Sequence, residues 1–151
     1  MHKSNHINGV FVSNLKEIKD TKGSVLHVMR NDDDLFKSFG ECYCSEINPG
    51  FVKGWKKHMA QSQNIAVPIG VIKFVLIDLR ANSPSINNFI EIFLGRPDNY
   101  SRLHIPKNIW YGFKCISSTP ALIINCADLP HSPDESKTLS LENPSFSYDW
   151  D

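Results

Sequence analysis

Short apolar runs separated by turn residues set the character of the chain. Residues 71–79 (Val-Ile-Lys-Phe-Val-Leu-Ile-Asp-Leu) are apolar at nearly every position, so both faces of that segment should be buried, as in an inner strand of a sandwich or closed barrel. Shorter runs at 9–13, 24–29, 41–47, 51–58, 63–67, 89–94, 100–105, 109–116 and 121–126 read as further strands. Turn signals fall between them at 20–23, 48–50, 68–70 and 96–99, each built from Gly, Pro, Asn or Asp. Asn31 followed by Asp32, Asp33 and Asp34 looks like a helix start with acidic residues in its first turn, and predicts one short helix ending near Gly40. The tail from 128 to 151 carries Pro130, Pro133 and Pro144 and is expected to wrap the surface with little regular structure, pinned by Tyr148 and Trp150. Many short strands at this spacing point to an all-β jelly roll or barrel, and the length fits one domain over 1–151.

Composition narrows the function. The 16 Lys plus Arg equal the 16 Asp plus Glu, so there is no basic excess to bind nucleic acid or an anionic membrane broadly. No apolar run is long enough for a membrane span, and the polar start lacks a signal-peptide core, which predicts a cytoplasmic protein. Of the cysteines, Cys42 and Cys44 form a C-x-C, while Cys115 and Cys126 lie far apart in apolar segments. That spacing predicts buried free thiols, not a zinc ribbon or a disulfide frame.

Residues two apart share a face of a strand, so Gly54, Lys56 and His58 should point one way and Lys53, Trp55 and Lys57 the other. If the first set faces the interior, an ammonium beside an imidazole keeps His58 neutral near pH 7 and able to take a proton. Lys56 then either steadies an enolate or holds a diphosphate. Tyr111 is a candidate acid or hydrogen-bond donor. Glu41, Tyr43 and Ser45 alternate on one face and are candidates to line the same mouth. Lys53, Arg80 and Arg102 are available cations for an anionic ligand.

Five segments, in order, resemble the dTDP-4-dehydrorhamnose 3,5-epimerase (RmlC-like cupin) family. They are Asp20-Thr-Lys-Gly-Ser-Val-Leu-His27, Gly50-Phe-Val-Lys-Gly-Trp-Lys56, Pro68-Ile-Gly70 through Arg80, Arg102-Leu-His-Ile-Pro106 through Trp110-Tyr-Gly-Phe113, and the closing Tyr-Asp-Trp150. The last is similar to the ending of a short subgroup associated with surface-polysaccharide biosynthesis. The resemblance implies a cupin, double-stranded β-helix jelly roll, a nucleotide-diphosphate sugar as ligand, a homodimer built on an edge strand such as Val10-Phe11-Val12, and no cofactor. It puts Lys56 at the family's base histidine, Ile124 near its proton-donating tyrosine, Tyr111 at the histidine of its H-G-F motif, and the carboxylate that orients the base beyond residue 151. It also places His27 where the family has a substrate-facing glutamate, which makes His27 a second catalytic candidate beside His58, and makes Lys53 the counterpart of a phosphate-binding arginine. The cupin metal ligands are not all present, because Lys56 and Tyr111 replace two of them, so no metal is expected.

Three functions follow as expectations. The first is an epimerase acting at C3, C5 or both of a nucleotide-linked 4-keto-6-deoxy sugar for O-antigen or capsule synthesis. The second is a 3,4-ketoisomerase on the same substrate class, whose H-x-H strand resembles this one at His58. The third is a non-catalytic cupin that binds a nucleotide sugar or a partner enzyme.

Overall fold

The computed structural model describes residues 1–151. Its strands are β1 (His2–Lys3), β2 (Phe11–Asn14), β3 (Glu17–Asp20), β4 (Gly23–Leu26), β5 (Glu41–Ile47), β6 (Val52–His58) and β7 (Gln63–Ile69). There follow β8 (Val71–Ile77), β9 (Asn88–Gly95), β10 (Ser101–Ile105), β11 (Trp110–Cys115), β12 (Ala121–Ala127) and β13 (Ser136–Thr138). One sheet runs β1-β9-β8-β11-β6-β13 and the other β2-β10-β7-β12-β5, with β3 and β4 as a separate hairpin. This is the all-β jelly roll that the short strands and their turns predict, and the cupin-type barrel that the family resemblance implies.

The apolar stretch at 71–77 is buried on both faces for two different reasons. Ile72, Phe74 and Leu76 point between the sheets, into a core shared with Ile65 and Val67 of β7 and Leu103 and Ile105 of β10. Val75 and Ile77 point outward and are roofed by the carboxy-terminal tail, in a second cluster with Trp55, Trp110 and Phe146.

The tail is therefore more ordered than expected. Pro133–Glu135 forms a turn of 3-10 helix, and β13 pairs with β6 at the register Ser136↔His58. Beyond it, Phe146 sits edge-on to Trp55 at 5.5 Å between centroids and 5.3 Å from Trp110. Tyr148 and Trp150 also pack on the Trp55 ring, which confirms them as pins. Phe146 is 1% exposed, so Phe146→Ala should cost about 3 kcal/mol or more of unfolding free energy. Urea denaturation followed by tryptophan fluorescence checks this; a loss under about 1 kcal/mol would show that the tail is not part of the core.

Two other expectations are corrected. Residues 31–40 form no helix. Asp33 accepts hydrogen bonds from the Arg30 backbone N–H at 2.8 Å and from Arg102 at 2.7 Å, so it is drawn onto the outer face of β10. A helix of this length is marginal alone, and the tertiary ion pair overrides its start signal. The thiols are also not all buried: Cys115 is, but Cys42 and Cys44 are exposed on the outer face of β5 and Cys126 is half-buried opposite Cys42. No helix of the structure is long and apolar enough to cross a membrane.

Candidate active site

Strand β6 carries the chemistry, and a bulge decides which side chains share a wall. Opposite β11, Tyr111 pairs with Lys56 but Phe113 pairs with Lys53, so β6 holds one extra residue. Gly54 makes this possible: its φ is +156°, and a Cβ there would lie 2.9 Å from the Gly112 Cα. The extra residue turns Lys53 to the same side as Lys56, where strict alternation had placed it on the other. Trp55 and Lys57 still face outward, Trp55 into the tail cluster and Lys57 with its ammonium 4.9 Å over the Trp110 ring.

The result is a pocket of about 230 Å³ between the two sheets. Lys53, Lys56, Tyr111 and Phe113 come from the six-stranded wall; Tyr43, Ser45, Ile65, Ile123 and Asn125 come from the five-stranded one. His58 lies one side chain deeper, 5% exposed, with its ring stacked on Tyr111 at 6.0 Å.

His58 is held at both nitrogens. Nδ1 is 2.5 Å from Glu135 Oε1, and Nε2 is 3.2 Å from the Tyr111 hydroxyl. A carboxylate only accepts, so Nδ1 carries the proton, Nε2 presents its lone pair, and the Tyr111 hydroxyl donates to it. The other carboxylate oxygen, Oε2, accepts the backbone N–H groups of Gln61 at 3.2 Å and Ala60 at 3.4 Å.

The electrostatics follow the geometry. Burial pushes the His58 pKa below its ordinary value; the Glu135 hydrogen bond and charge oppose this, and the Lys56 ammonium adds to it. Burial works against the Glu135 carboxylate, but hydrogen bonds from His58, Gln61 and Ala60 outweigh it and hold its pKa below the usual range. Burial drives the Tyr111 phenol far above its ordinary range. The resting state at neutral pH is thus a neutral imidazole between a carboxylate and a protonated phenol.

Glu135 was missed by sequence reading, which looked for the orienting carboxylate beyond residue 151. A short signal was present: after Pro133, Thr138-Leu-Ser-Leu141 alternates polar and apolar, as the end of an added strand would. Asn125, Gln61 and Gln63 were also missed.

Other candidates are placed elsewhere. Glu41 lies beside the site, not in its lining; its carboxylate accepts Gln61 Nε2 at 3.3 Å and the His131 N–H at 3.1 Å. His27 and Arg102 line a separate polar pocket with Lys16, Arg30 and Asp33. Arg102 there is committed to the Val28 carbonyl at 3.0 Å and to Asp33 at 2.7 Å. Arg80 is committed to Asp78, with its Nε 2.9 Å from Oδ1. Burial opposes ionisation of Asp78, but bonds from Arg80, Ser83 and Ser85 outweigh it and hold its carboxyl far below the usual range. Neither arginine is free for an anionic ligand in the pocket.

Residues 4–151 match the sequence model of the dTDP-4-dehydrorhamnose 3,5-epimerase family. A crystal structure of a "dTDP Sugar Isomerase" from Desulfovibrio desulfuricans G20 is 43% identical and superposes with a TM-score of 0.93, covering 95% of this chain and 92% of that one. The "Spore coat polysaccharide biosynthesis protein SpsL" of Bacillus subtilis (strain 168) is 29% identical over 146 residues, 95% of this chain and 96% of that protein. The "Probable low-salt glycan biosynthesis epimerase Agl13" of Haloferax volcanii is 32% identical over 122 residues, 80% of this chain and 78% of that protein.

Proposed function

The chain belongs to the dTDP-4-dehydrorhamnose 3,5-epimerase family, and on that footing we propose that it epimerises a nucleotide-linked 4-keto-6-deoxy sugar for surface-polysaccharide synthesis. The observation that carries this is the Glu135–His58 pair at 2.5 Å behind the pocket wall. It supplies an oriented, neutral base, which is what removal of a proton next to a ketone requires.

The proposed steps use the chain's own groups. The sugar enters between the sheets with its diphosphate near Lys53 and Lys56, the two ammonium groups of the lining. The ketone oxygen takes over the Tyr111 hydroxyl, whose 3.2 Å bond to Nε2 is long and readily exchanged. That shift polarises the carbonyl and bares the Nε2 lone pair to the adjacent C–H. His58 takes the proton, the C–H electron pair moves into the enolate, and Tyr111 with Lys56 steadies the oxyanion. The ketone itself acidifies the neighbouring carbon, so the route needs no cofactor. Phe11 and Val12, exposed on the edge strand β2, support a homodimer built on that edge.

The test is incubation with a panel of dTDP-linked 4-keto-6-deoxy sugars in D₂O, read by NMR. Deuterium at C3 or C5 together with an inverted product is expected. Absence of exchange with every member would sink the reading, and label confined to transfer between C3 and C4 would make the protein a ketoisomerase instead.

A further inference from the structure

Inversion needs a second proton, delivered to the face of the sugar opposite the base. His58 and Tyr111 stand on the six-stranded wall, so the donor belongs on the five-stranded wall facing them. We propose that Tyr43 is that donor, and that a chain of buried amides from Asn125 through Gln63 to Gln61 positions it. This rests on the epimerase reading above and names a further group of the same site.

A census of hydrogen bonds on that wall singles out Tyr43. Ile65 and Ile123 carry no proton to give. Ser45 accepts from the Lys53 ammonium at 3.3 Å and keeps its own O–H, but an aliphatic alcohol is a far weaker acid than a phenol and is the poorer source of a proton for an enolate carbon. Asn125 Nδ2 has two hydrogens and spends both, one on the Tyr43 hydroxyl oxygen at 2.9 Å and one on Gln63 Oε1. Tyr43 therefore accepts from Asn125, and its own O–H is left for the pocket.

The two tyrosines are thus set in opposite senses. Tyr111 gives its proton to Nε2 of His58, whereas Tyr43 receives a bond and keeps its proton free. The same Asn125 N–H would stabilise the phenolate left after Tyr43 donates.

The sense of the Tyr43 bond depends on Asn125 not flipping, and fixed groups at both ends of the chain prevent a flip. At one end the backbone N–H of Asn64 must donate, so the Asn125 oxygen lies against it at 3.2 Å. At the other end the Leu129 carbonyl must accept, so Gln61 Nε2 points to it at 2.7 Å. Gln63 lies between them and donates to Gln61 Oε1 at 3.1 Å. These amides are 1–3% exposed, so reversing one would leave buried donors and acceptors facing their own kind.

The atoms balance without a co-reactant. His58 Nε2 takes the hydrogen from carbon, leaving the enolate. The enolate then forms a new C–H bond on the other face with the proton of Tyr43, leaving a phenolate. The pair of imidazolium and phenolate returns to its starting state by proton exchange through water once the product leaves.

The experiment uses the full chain and the dTDP-4-keto-6-deoxy sugar that the wild type turns over, in D₂O. Tyr43→Phe should keep solvent exchange, now with retention of configuration, while inversion falls about a hundredfold. Asn125→Ala leaves the phenol in place but unaimed; it should lower inversion about tenfold with KM little changed, so the exchange-to-inversion ratio rises in both variants. A purely structural role would lower exchange and inversion together. Inversion by Tyr43→Phe at near the wild-type rate, or parallel loss of exchange and inversion, would overturn the assignment while leaving the epimerase reading intact. No exchange by the wild type would overturn both.

Discussion

His58→Ala should lower kcat/KM on the 4-keto sugar by about a thousandfold and remove solvent exchange at the carbon next to the ketone. The lone-pair nitrogen of the imidazole faces the hydroxyl of Tyr111, which lines the pocket, and its proton-bearing nitrogen is already spent on Glu135. Alanine also opens a void beside a buried carboxylate, so part of any loss could come from the fold. His58→Asn separates the two effects: an amide N–H can still satisfy Glu135, yet no group of that side chain can take a proton from carbon. It should melt near the wild type and be as inactive as the alanine variant. Exchange within tenfold of wild type in His58→Asn would remove His58 from the base role.

Most of the barrel was legible because it depends on short-range pattern. The strand at 41–47 is found where the alternation put it, and the apolar run around Phe74 and Val75 is indeed buried on both sides. What was not legible depends on register and on distant partners. Lys53 changes walls through one extra residue at Gly54, and no periodicity reports where a bulge falls. Asp33 has a good helix-start context, but a charge 69 residues away decides its place. Arg80 and Arg102 look like free cations until Asp78 and Asp33 are seen to hold them. The site shows the same division. His58, Lys56, Tyr111 and Tyr43 were readable as candidates from residue type and alternation. Glu135 was not, because it meets His58 only through the pairing of β13 with β6, 77 residues on. Asn125 was hidden for a similar reason: its value lies in the sense of its hydrogen bonds, which depends on the Asn64 backbone and the Leu129 carbonyl.

Glu135→Gln should cost about a hundred- to thousandfold in kcat/KM and move the acid limb of its pH profile downward. The carboxylate acts on His58 in two ways. It fixes the tautomer, because an acceptor at Nδ1 forces the lone pair onto Nε2; a glutamine can instead offer an N–H and favour the wrong tautomer. It also raises the His58 pKa against burial, which is the larger influence and lowers it below the ordinary 6.5. Activity needs the neutral imidazole, so kcat/KM climbs as pH rises through this lowered value. Removing the raising group lowers the value further, and the limb shifts to lower pH even as the plateau falls. Lys56→Met removes a cation that lowers the same pKa, so its limb should shift to higher pH. Stability responds in the matching sense. A histidine whose folded pKa lies below its unfolded one binds fewer protons when folded, so stability is full above the unfolded value and is lost as pH falls from there through the folded value. That loss should be larger in Glu135→Gln and smaller in Lys56→Met. Paired profiles of kcat/KM between pH 4 and 8 and of urea midpoint between pH 5 and 8, above the range in which the Glu135 carboxyl itself titrates, read both effects. Displacement of the two limbs in the same direction would mean that Glu135 and Lys56 do not act on one imidazole.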